Sequence, residues 1–469
     1  MKDKNKRKHP WRDNLETLVG AIVLAMIFKA FLLEISRIPS PSMQPTMMGM
    51  PENGLSDRVL VDKFSFHMRD PERWEIVVFK HPIERSRNMV KRLVGLPGEE
   101  IRMEHGDLWV RSSGESEWAI PRRPHSVQDE MWKAIDRDEP KLTSWRTTSG
   151  GGAWKLTKRE INARNDGVAR FRPDQDSIYN AYFDGYPDAV RVDTGPRFST
   201  RAVGDLRFEA EVVALEGCTE VMATLSEGDV EYRFILPGPA AEASAAPRIE
   251  VHARSGRSGR ATEDEELPSI SAPAWKLEAG SSHFVRAQNL DDRLSLEIDG
   301  EWVCELDIAP VADQLSAVDL TVTGTGADFL EVQVLRDVFY LQGLTAGEST
   351  PIPIGHYFMM GDNTQASADS REWVAASYEW TTDEGQKRTM KGNYRPQGEN
   401  PAPGEGLDGE PAQFFRDEWG ERYQLPEGAR QTSRIRQATV PRELIRGRAL
   451  AIFWPMKPSM GIWRLSWLH

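Results

Sequence analysis

One long apolar run near the start of the chain limits its architecture more than any other feature. The run reads LVGAIVLAMIFKAFLL and extends from Leu18 to Leu33. As a helix it would cover roughly 24 Å, slightly less than the hydrocarbon core of a bilayer, which is about 30 Å thick. A cleaved signal peptide is the alternative reading, but no small-x-small cleavage site directly follows the run. We therefore expect an uncleaved transmembrane anchor over residues 14–36.

The charge distribution predicts how this anchor is oriented. Residues 1–13 carry a balance of +4, whereas the whole chain has a net charge of −13. Because basic residues ahead of a membrane helix stay in the cytoplasm, we expect a cytoplasmic basic tail and a single-pass protein of the cytoplasmic membrane. Everything after the anchor would then lie outside the cytoplasm. The acidic body also argues against nucleic acid as a partner.

Cysteine and histidine usage gives little support to metal chemistry. Cys218 and Cys304 are the only two cysteines in the 469 residues, and the nine histidines include no HExxH motif. The two cysteines either form one disulfide outside the cytoplasm or remain buried free thiols, and the sequence leaves both possibilities open. We expect neither a metal nor another cofactor.

The rest of the chain has the texture of a mainly β protein. Residues 58–111 contain β-branched runs such as RVLVDKF and WEIVVFK. Residues 191–345 contain successive alternating segments, which predict an inserted antiparallel β-sandwich. Its LSLEIDGEWVCELDI segment resembles the texture of a concanavalin-like or laminin-G-like jelly roll. Residues 377–437 are polar and rich in Gly and Pro, which predicts a partly disordered surface insertion.

Three short stretches contain candidate catalytic residues. In IPSPSMQPTM, prolines constrain a turn that includes Ser42, but a serine hydroxyl needs a base and the chain has no GxSxG motif. In NMVKRLVG, strand alternation places Lys91 on one face with Met89 and Leu93, where burial would favour a neutral amine. The alternative is that Lys91 faces solvent and has no catalytic role. The third stretch, GDNTQASADSREW, is either a capped turn or a support for that lysine.

Taken together and in order, these stretches resemble the sequence boxes of type I (bacterial, leader) signal peptidases, peptidase family S26. The resemblance covers residues 14–111, 351–375 and 438–456. It implies a signal-peptidase-like β-fold catalytic domain behind one transmembrane helix, and a membrane-bound serine endopeptidase that removes signal peptides after small-x-small sites. The implied partners are secretory preproteins and membrane lipid, with an unknown ligand for the sandwich.

The resemblance also implies a role for each matching residue. Ser42 would be the nucleophile and Lys91 the general base of a Ser-Lys dyad. The Ser40 hydroxyl and the Ser42 backbone N–H would form the oxyanion hole, Ser367 would orient Lys91, and Met43 would lie near the substrate groove. Three charged residues would support the site structurally: Asp362, Asp369 and Arg371.

Two other functions remain to be weighed. A self-cleaving repressor-type Ser-Lys peptidase would need an N-terminal DNA-binding domain, where this chain has an apolar run. A catalytically inactive, membrane-anchored protein whose sandwich binds glycan or protein would have no physical need for a desolvated lysine.

The predicted division of the chain follows from these features. Its segments are a basic tail (1–13), an anchor (14–36), a first catalytic part (37–111), a connector (112–190), the sandwich (191–345), a second catalytic part (346–376), the polar insertion (377–437) and the catalytic end (438–469).

Overall fold

The computed structural model describes most of the chain. The described residues are 10–50, 55–112, 114–115, 117–135, 145–157, 159–172, 177–180, 201–253, 267–311, 315–345, 347–395, 398–406, 408–460 and 462–469. Most of the predicted basic tail, residues 1–9, lies outside these ranges.

The N-terminal segment is a helix that leads directly into a sheet. Helix α1 comprises Pro10–Phe31, and strand β1 follows at Leu33–Arg37. Residues 33–36, the end of the predicted anchor segment, therefore belong to a strand. Within the described ranges, none of the helices combines the length and the apolar composition that a bilayer crossing needs.

The first catalytic part contains short and regular strands around two short helical turns. Besides β1, its elements are a 3-10 turn at Pro41–Met43, β2 Gly49–Met50, β3 Leu55–Ser56, β4 Arg58–Asp62, helix α2 Ser65–Met68, β5 Ile76–Lys80, β6 Asn88–Gly95, β7 Glu99–Glu104 and β8 Asp107–Ser112. Their β-branched and aromatic residues favour extended backbone.

In the residues of the insertion that the structure describes, one α-helix precedes a set of antiparallel strands. Its elements are α3 His125–Met131, β9 Lys133–Ala134, β10 Trp145–Ser149, β11 Trp154–Leu156, β12 Ile161–Ala163, β13 Gly167–Phe171, β14 Leu206–Ala214, β15 Cys218–Glu227, β16 Val230–Pro237, β17 Arg248–Ala253, β18 Ser269–Ser271, β19 Ser282–Leu290, β20 Arg293–Ile298, β21 Glu301–Asp307, β22 Ser316–Gly324 and β23 Ala327–Arg336.

The last part of the chain returns to the catalytic sheet. Its strands are β24 Thr350–Pro351, β25 His356–Met360, β26 Val374–Thr381, β27 Lys387–Asn393, β28 Ala402–Glu405, β29 Pro411–Arg416, β30 Arg422–Gln424, β31 Arg430–Arg436, β32 Val440–Pro441, β33 Ile445–Trp454, β34 Met456–Lys457, β35 Ile462–Trp463 and β36 Ser466–Trp467. Strands β26–β31 occupy the segment predicted as a partly disordered insertion, and they form two three-stranded sheets.

The catalytic sheet is antiparallel and combines the two ends of the chain. Its order is β1-β4-β33-β5-β6-β25-β32, with β36 paired to β33. Strand β6 therefore lies between β5 and β25, and Lys91 pairs with Val77 of β5. This central position explains why Lys91 is buried.

Two antiparallel sheets of the insertion share one hydrophobic core. Their orders are β10-β13-β22-β15-β16-β17-β18 and β11-β12-β23-β14-β19-β20-β21, and both contribute side chains to a single buried cluster. Strands β10–β13 pair within these sheets although they come from the predicted connector, 112–190. The prediction of a mainly β chain is confirmed, whereas the jelly-roll resemblance stays a prediction. Cys218 and Cys304 are both buried free thiols.

Candidate active site

The turn that carries Ser42 is held by its neighbours on both sides. Pro41 begins a 3-10 turn, where its fixed φ suits a helical first position. Met43 is 1% exposed and packs in a cluster with Ile38 and Met47. The turn is therefore anchored, and Ser42 is buried next to the catalytic sheet.

Ser42 and Lys91 are in direct contact. Lys91 Nζ lies 2.5 Å from Ser42 Oγ, and Lys91 is only 2% exposed. Burial lowers the pKa of Lys91 to about 8, against the opposing negative charges of Asp369 and Asp362. The lysine can therefore be neutral close to physiological pH, as a general base must be.

A second hydroxyl lies beside the first. Ser40 Oγ is 3.2 Å from Ser42 Oγ. Three of the predicted side chains, from Ser40, Ser42 and Lys91, thus come together at one point. This spacing leaves a hydroxyl donor next to the atom that would attack a carbonyl.

The loop after β25 holds the serine turn by hydrogen bonds that sequence reasoning missed. The backbone N–H of Asn363 donates to the Ser42 carbonyl at 3.1 Å, and its side-chain Nδ2 donates to the Pro41 carbonyl at 3.1 Å. The neighbouring Gly361 has no room for a side chain, because a Cβ there would collide with the Ser42 carbonyl oxygen and with Ser367 Oγ. In the sequence, only the GDN motif at residues 361–363 indicated that this loop could contact the serine turn.

Arg92 is a second residue that sequence reasoning missed. Its Nε and Nη2 donate to the two carboxylate oxygens of Asp362 at 2.9 and 3.0 Å, and both side chains are 1% exposed. Thr46 Oγ1 donates to the same carboxylate at 2.6 Å. Asp362 thereby joins the strand of Lys91 to the segment after Ser42. The available signal was a second cation in an apolar strand, directly after Lys91.

Asp369 and Arg371 form a buried pair. Arg371 Nε and Nη2 each donate at 2.8 Å to a different oxygen of Asp369, and the Gly361 N–H donates to the same carboxylate at 3.1 Å. Burial alone would raise the pKa of Asp369, but the charge and hydrogen bonds of Arg371 outweigh it, so the pKa is lowered. The ionised pair shapes the loop that contacts Ser42.

Ser367 and Met43, two further predicted site residues, are both buried. Ser367 is buried near the Asp369 carboxylate, and its hydroxyl contributes to the lowered pKa of Asp369. Among the described residues, however, its Oγ makes no hydrogen bond of good geometry, to Lys91 or any other group. Met43 is buried inside a hydrophobic cluster, and its expected place near the substrate groove stays a prediction.

Comparison with known proteins shows which family the chain resembles. A family model described as "Signal peptidase, peptidase S26" matches residues 11–148 and 300–381, which include every candidate residue above. Over these residues the chain is similar to the signal peptidase family. Its members are membrane-associated proteases that process signal peptides. The region between the two matches contains most of the inserted sandwich, and this chain is larger than the signal peptidase relatives that it matches.

Curated proteins similar to this chain include signal peptidases of Synechocystis. The chain is 38% identical over 109 residues to "Probable signal peptidase I-2" of Synechocystis, covering 22% of this chain and 47% of that protein. It is 27% identical over 188 residues to "Probable signal peptidase I-1" of the same organism, covering 38% of this chain and 85% of that protein. Over the first four relatives, the alignment spans about half of their length or less.

A search of solved structures finds β-sandwich proteins. One is the carbohydrate-binding module CBM66 from Bacillus subtilis, with a TM-score of 0.25 and 9% identity, covering 41% of this chain and 96% of that one. At that TM-score the match carries no argument about the sandwich.

Proposed function

We propose that this chain is a membrane-bound serine endopeptidase that removes N-terminal signal peptides from exported preproteins after small-x-small sites. The observation that carries the proposal is the 2.5 Å contact between Ser42 Oγ and the buried amine of Lys91. A serine needs a base to become nucleophilic, and a desolvated lysine can serve as one. The signal peptidase I relatives support the same activity.

Acylation uses the three clustered side chains. Neutral Lys91 accepts the Ser42 proton as Ser42 Oγ attacks the scissile carbonyl carbon. The Ser42 N–H and the Ser40 hydroxyl donate to the developing oxyanion, and removing one such donor typically costs about 3–4 kcal/mol of transition-state stabilisation. Lys91 then protonates the leaving amine, which frees the mature protein and leaves an acyl-enzyme.

Deacylation uses the same base a second time. Neutral Lys91 takes a proton from a water molecule, the hydroxide attacks the ester carbonyl, and the same donors stabilise the oxyanion. Ser42 Oγ leaves with the proton from Lys91, which releases the signal peptide. The Asp369–Arg371 and Asp362–Arg92 pairs keep the loop and the strand in register, and Ser367 is the further candidate to orient Lys91.

We infer the membrane placement from the apolar run at residues 18–33 and the basic residues ahead of it. Within helix α1, Leu18, Val19 and Ile22 are apolar and exposed, so they pack against no core in the part of the chain that the structure describes. We assign this helix to the lipid, with the basic tail in the cytoplasm and the catalytic part on the outer face. The partners are then membrane lipid and secretory preproteins, whose cleavage sites emerge at the same surface.

The direct test is cleavage of a purified preprotein with an Ala-x-Ala site by the detergent-solubilised full chain. We expect one cut directly after the second alanine, identified by mass spectrometry of both products. A matched preprotein with Leu in place of that alanine is expected to remain uncut, because the proposed specificity is for small side chains at that position. Absence of cleavage by the folded protein across several preproteins would refute the proposal.

We expect the rate of cleavage to depend on pH through Lys91. The rate should rise with pH through an apparent pKa of about 8, because only the neutral amine can accept the serine proton. The positive charge of Arg87 helps to lower the pKa of Lys91, so Arg87→Met should move the profile to higher pH. Arg85→Met, a change of the same kind two residues away, serves as the control. A flat profile between pH 6.5 and 9 would contradict the assignment of the base.

The alternative, an inactive anchored protein whose sandwich binds glycan or protein, is not favoured. It does not explain why Lys91 is buried in contact with Ser42, although burying an amine lowers the free energy of unfolding. A ligand of the sandwich is compatible with an active peptidase, and the two are separable by the cleavage assay.

A further inference from the structure

A short segment of the insertion lies between the sandwich and the catalytic sheet. We call residues 121–134 the bridging segment; it contains helix α3 and strand β9. On the sandwich side, Asp129 pairs with Arg207 at 2.8 Å, and the His125 ring stacks on Trp302 with 5.1 Å between centroids. Strand β9 also pairs with β23 of the sandwich. The bridging segment is thus an integral part of the sandwich surface.

The same segment is also part of the catalytic core. Val127 and Met131 are buried in a cluster that includes Trp74, Val94 and Phe358. These cluster partners lie beside or within the catalytic strands β5, β6 and β25. The bridging segment therefore has one face on each domain, and a change in how the sandwich docks would be felt in the peptidase core.

Two charged side chains of the bridging segment reach the groups that hold the dyad in place. Lys133 is buried, and its Nζ donates to the Asp362 carbonyl at 3.5 Å. Glu130 Oε2 lies 3.6 Å from Arg92 Nη2. These partners are the two members of the buried ion pair that joins the Lys91 strand to the loop that holds the Ser42 turn.

A further contact ties the insertion to the same loop. Gln365 Nε2 donates to the backbone carbonyl of Asn180. Asn180 comes from the insertion, and Gln365 follows Asn363, whose backbone N–H holds the Ser42 carbonyl. The insertion therefore contacts the loop at two places, on either side of the residue that positions the nucleophile.

We propose that Lys133, through its hydrogen bond to the Asp362 carbonyl, and Glu130, through its ion-pair contact with Arg92, are positioning residues for the Ser42–Lys91 pair, so that docking of the sandwich helps to maintain the peptidase site. The inference deepens the proposed function and rests on it for the chemistry. Its physical basis is that two contacts fix the position of the loop. Lys133 binds the carbonyl of Asp362, and Glu130 contacts Arg92, which pairs with Asp362. We expect the loop to lose its fixed position when either contact is removed. Geometry errors of a fraction of an ångström at a reacting pair reduce the rate strongly.

The test compares Lys133→Met and Lys133→Arg in the full chain, with Lys155→Met as a matched control. Lys155 is an exposed lysine of β11, in the same insertion but on a strand outside the bridging segment. We expect Lys133→Met to lower kcat about tenfold with KM within twofold, and to speed hydrogen exchange of peptides covering residues 361–363 about tenfold. Lys133→Arg, which keeps a donor, should retain most of both properties, and Lys155→Met should match the wild type.

Two results would overturn the positioning role of Lys133. Unchanged kcat and exchange in a folded Lys133→Met protein, or equal losses in Lys155→Met, would overturn the proposal. If Lys133→Met lowers the unfolding temperature, Glu130→Gln provides a second reading, since it keeps the side-chain size and should raise exchange at the same peptides. If the wild type cuts no preprotein, the proposed function fails, whereas the exchange measurement still tests the positioning role.

Discussion

Replacing Lys91 by methionine is expected to lower kcat for preprotein cleavage about 10⁴-fold without destabilising the protein. The side chain is fully buried, and burial lowers its pKa from 10.5 to about 8. A lowered lysine pKa means that the folded state binds fewer protons than the unfolded state between pH 8 and 10.5, so wild-type stability rises with pH over that window. At neutral pH the buried lysine costs about 3 kcal/mol, which methionine of similar shape does not.

The expected signature is therefore a loss of activity with an equal or higher free energy of unfolding at pH 7. The variant should also lack the rise in stability between pH 8 and 10.5. Denaturant titrations at several pH values measure both effects. Lys80→Met, a change on the neighbouring strand β5, is the control and should stay active. Ser42→Ala should be as inactive as Lys91→Met, and activity that survives in Lys91→Met would refute the dyad.

Replacing Arg371 by methionine is expected to destabilise the protein by about 3–5 kcal/mol. Asp369 has no exposed surface, and Arg371 supplies two hydrogen bonds to its carboxylate at 2.8 Å. Removing the guanidinium leaves a buried carboxylate without its charge partner. Arg371 also donates to the Leu341 carbonyl at 2.8 Å, so the loop loses a further contact.

The pH dependence of this loss has a defined sign. The pKa of Asp369 is lowered in the folded protein, so the pair stabilises the wild type above the ordinary carboxyl pKa and ceases to do so as the carboxyl is protonated in acid. The difference between wild type and Arg371→Met should therefore shrink as the pH falls below about 4. The additional change Asp369→Asn should recover part of the stability.

A matched control is Arg446→Met on strand β33. Arg446 is exposed on the sheet that contains Lys91, and its replacement should change the free energy of unfolding by less than about 0.5 kcal/mol. A loss in Arg371→Met no larger than in Arg446→Met would contradict the view that the buried pair supports the loop.

Local patterns along the chain predicted several parts of the fold and the site. β-Branched runs predicted strands in the catalytic part, and alternation predicted that Lys91 shares a face with Met89 and Leu93, which are buried in the structure. These predictions succeed because strand formation and side-chain direction depend on a few neighbouring residues. The serine turn was recognisable because prolines flank Ser42 in the sequence itself.

Other features depend on residues far apart in the chain. Arg92 and Asp362 are separated by 270 positions, and neither strand nor loop pattern indicates that they meet. The polar segment 377–437 was predicted to be partly disordered, but pairing of β26 with β27 and β31 satisfies its backbone groups. A polar composition shows that a segment has few apolar side chains to bury. It does not show whether the backbone N–H and C=O groups of that segment pair with another strand.

By itself, the sequence determined the mainly β character, the signal peptidase motifs and the candidate hydroxyls and amine, because each is written in a contiguous stretch. Only the tertiary structure decided that Lys91 is desolvated between β5 and β25, that Asn363 holds the Ser42 turn, and that the bridging segment touches Asp362. The physical reason is that burial and hydrogen bonding between distant segments arise from how the sheets pack. No local pattern contains that information.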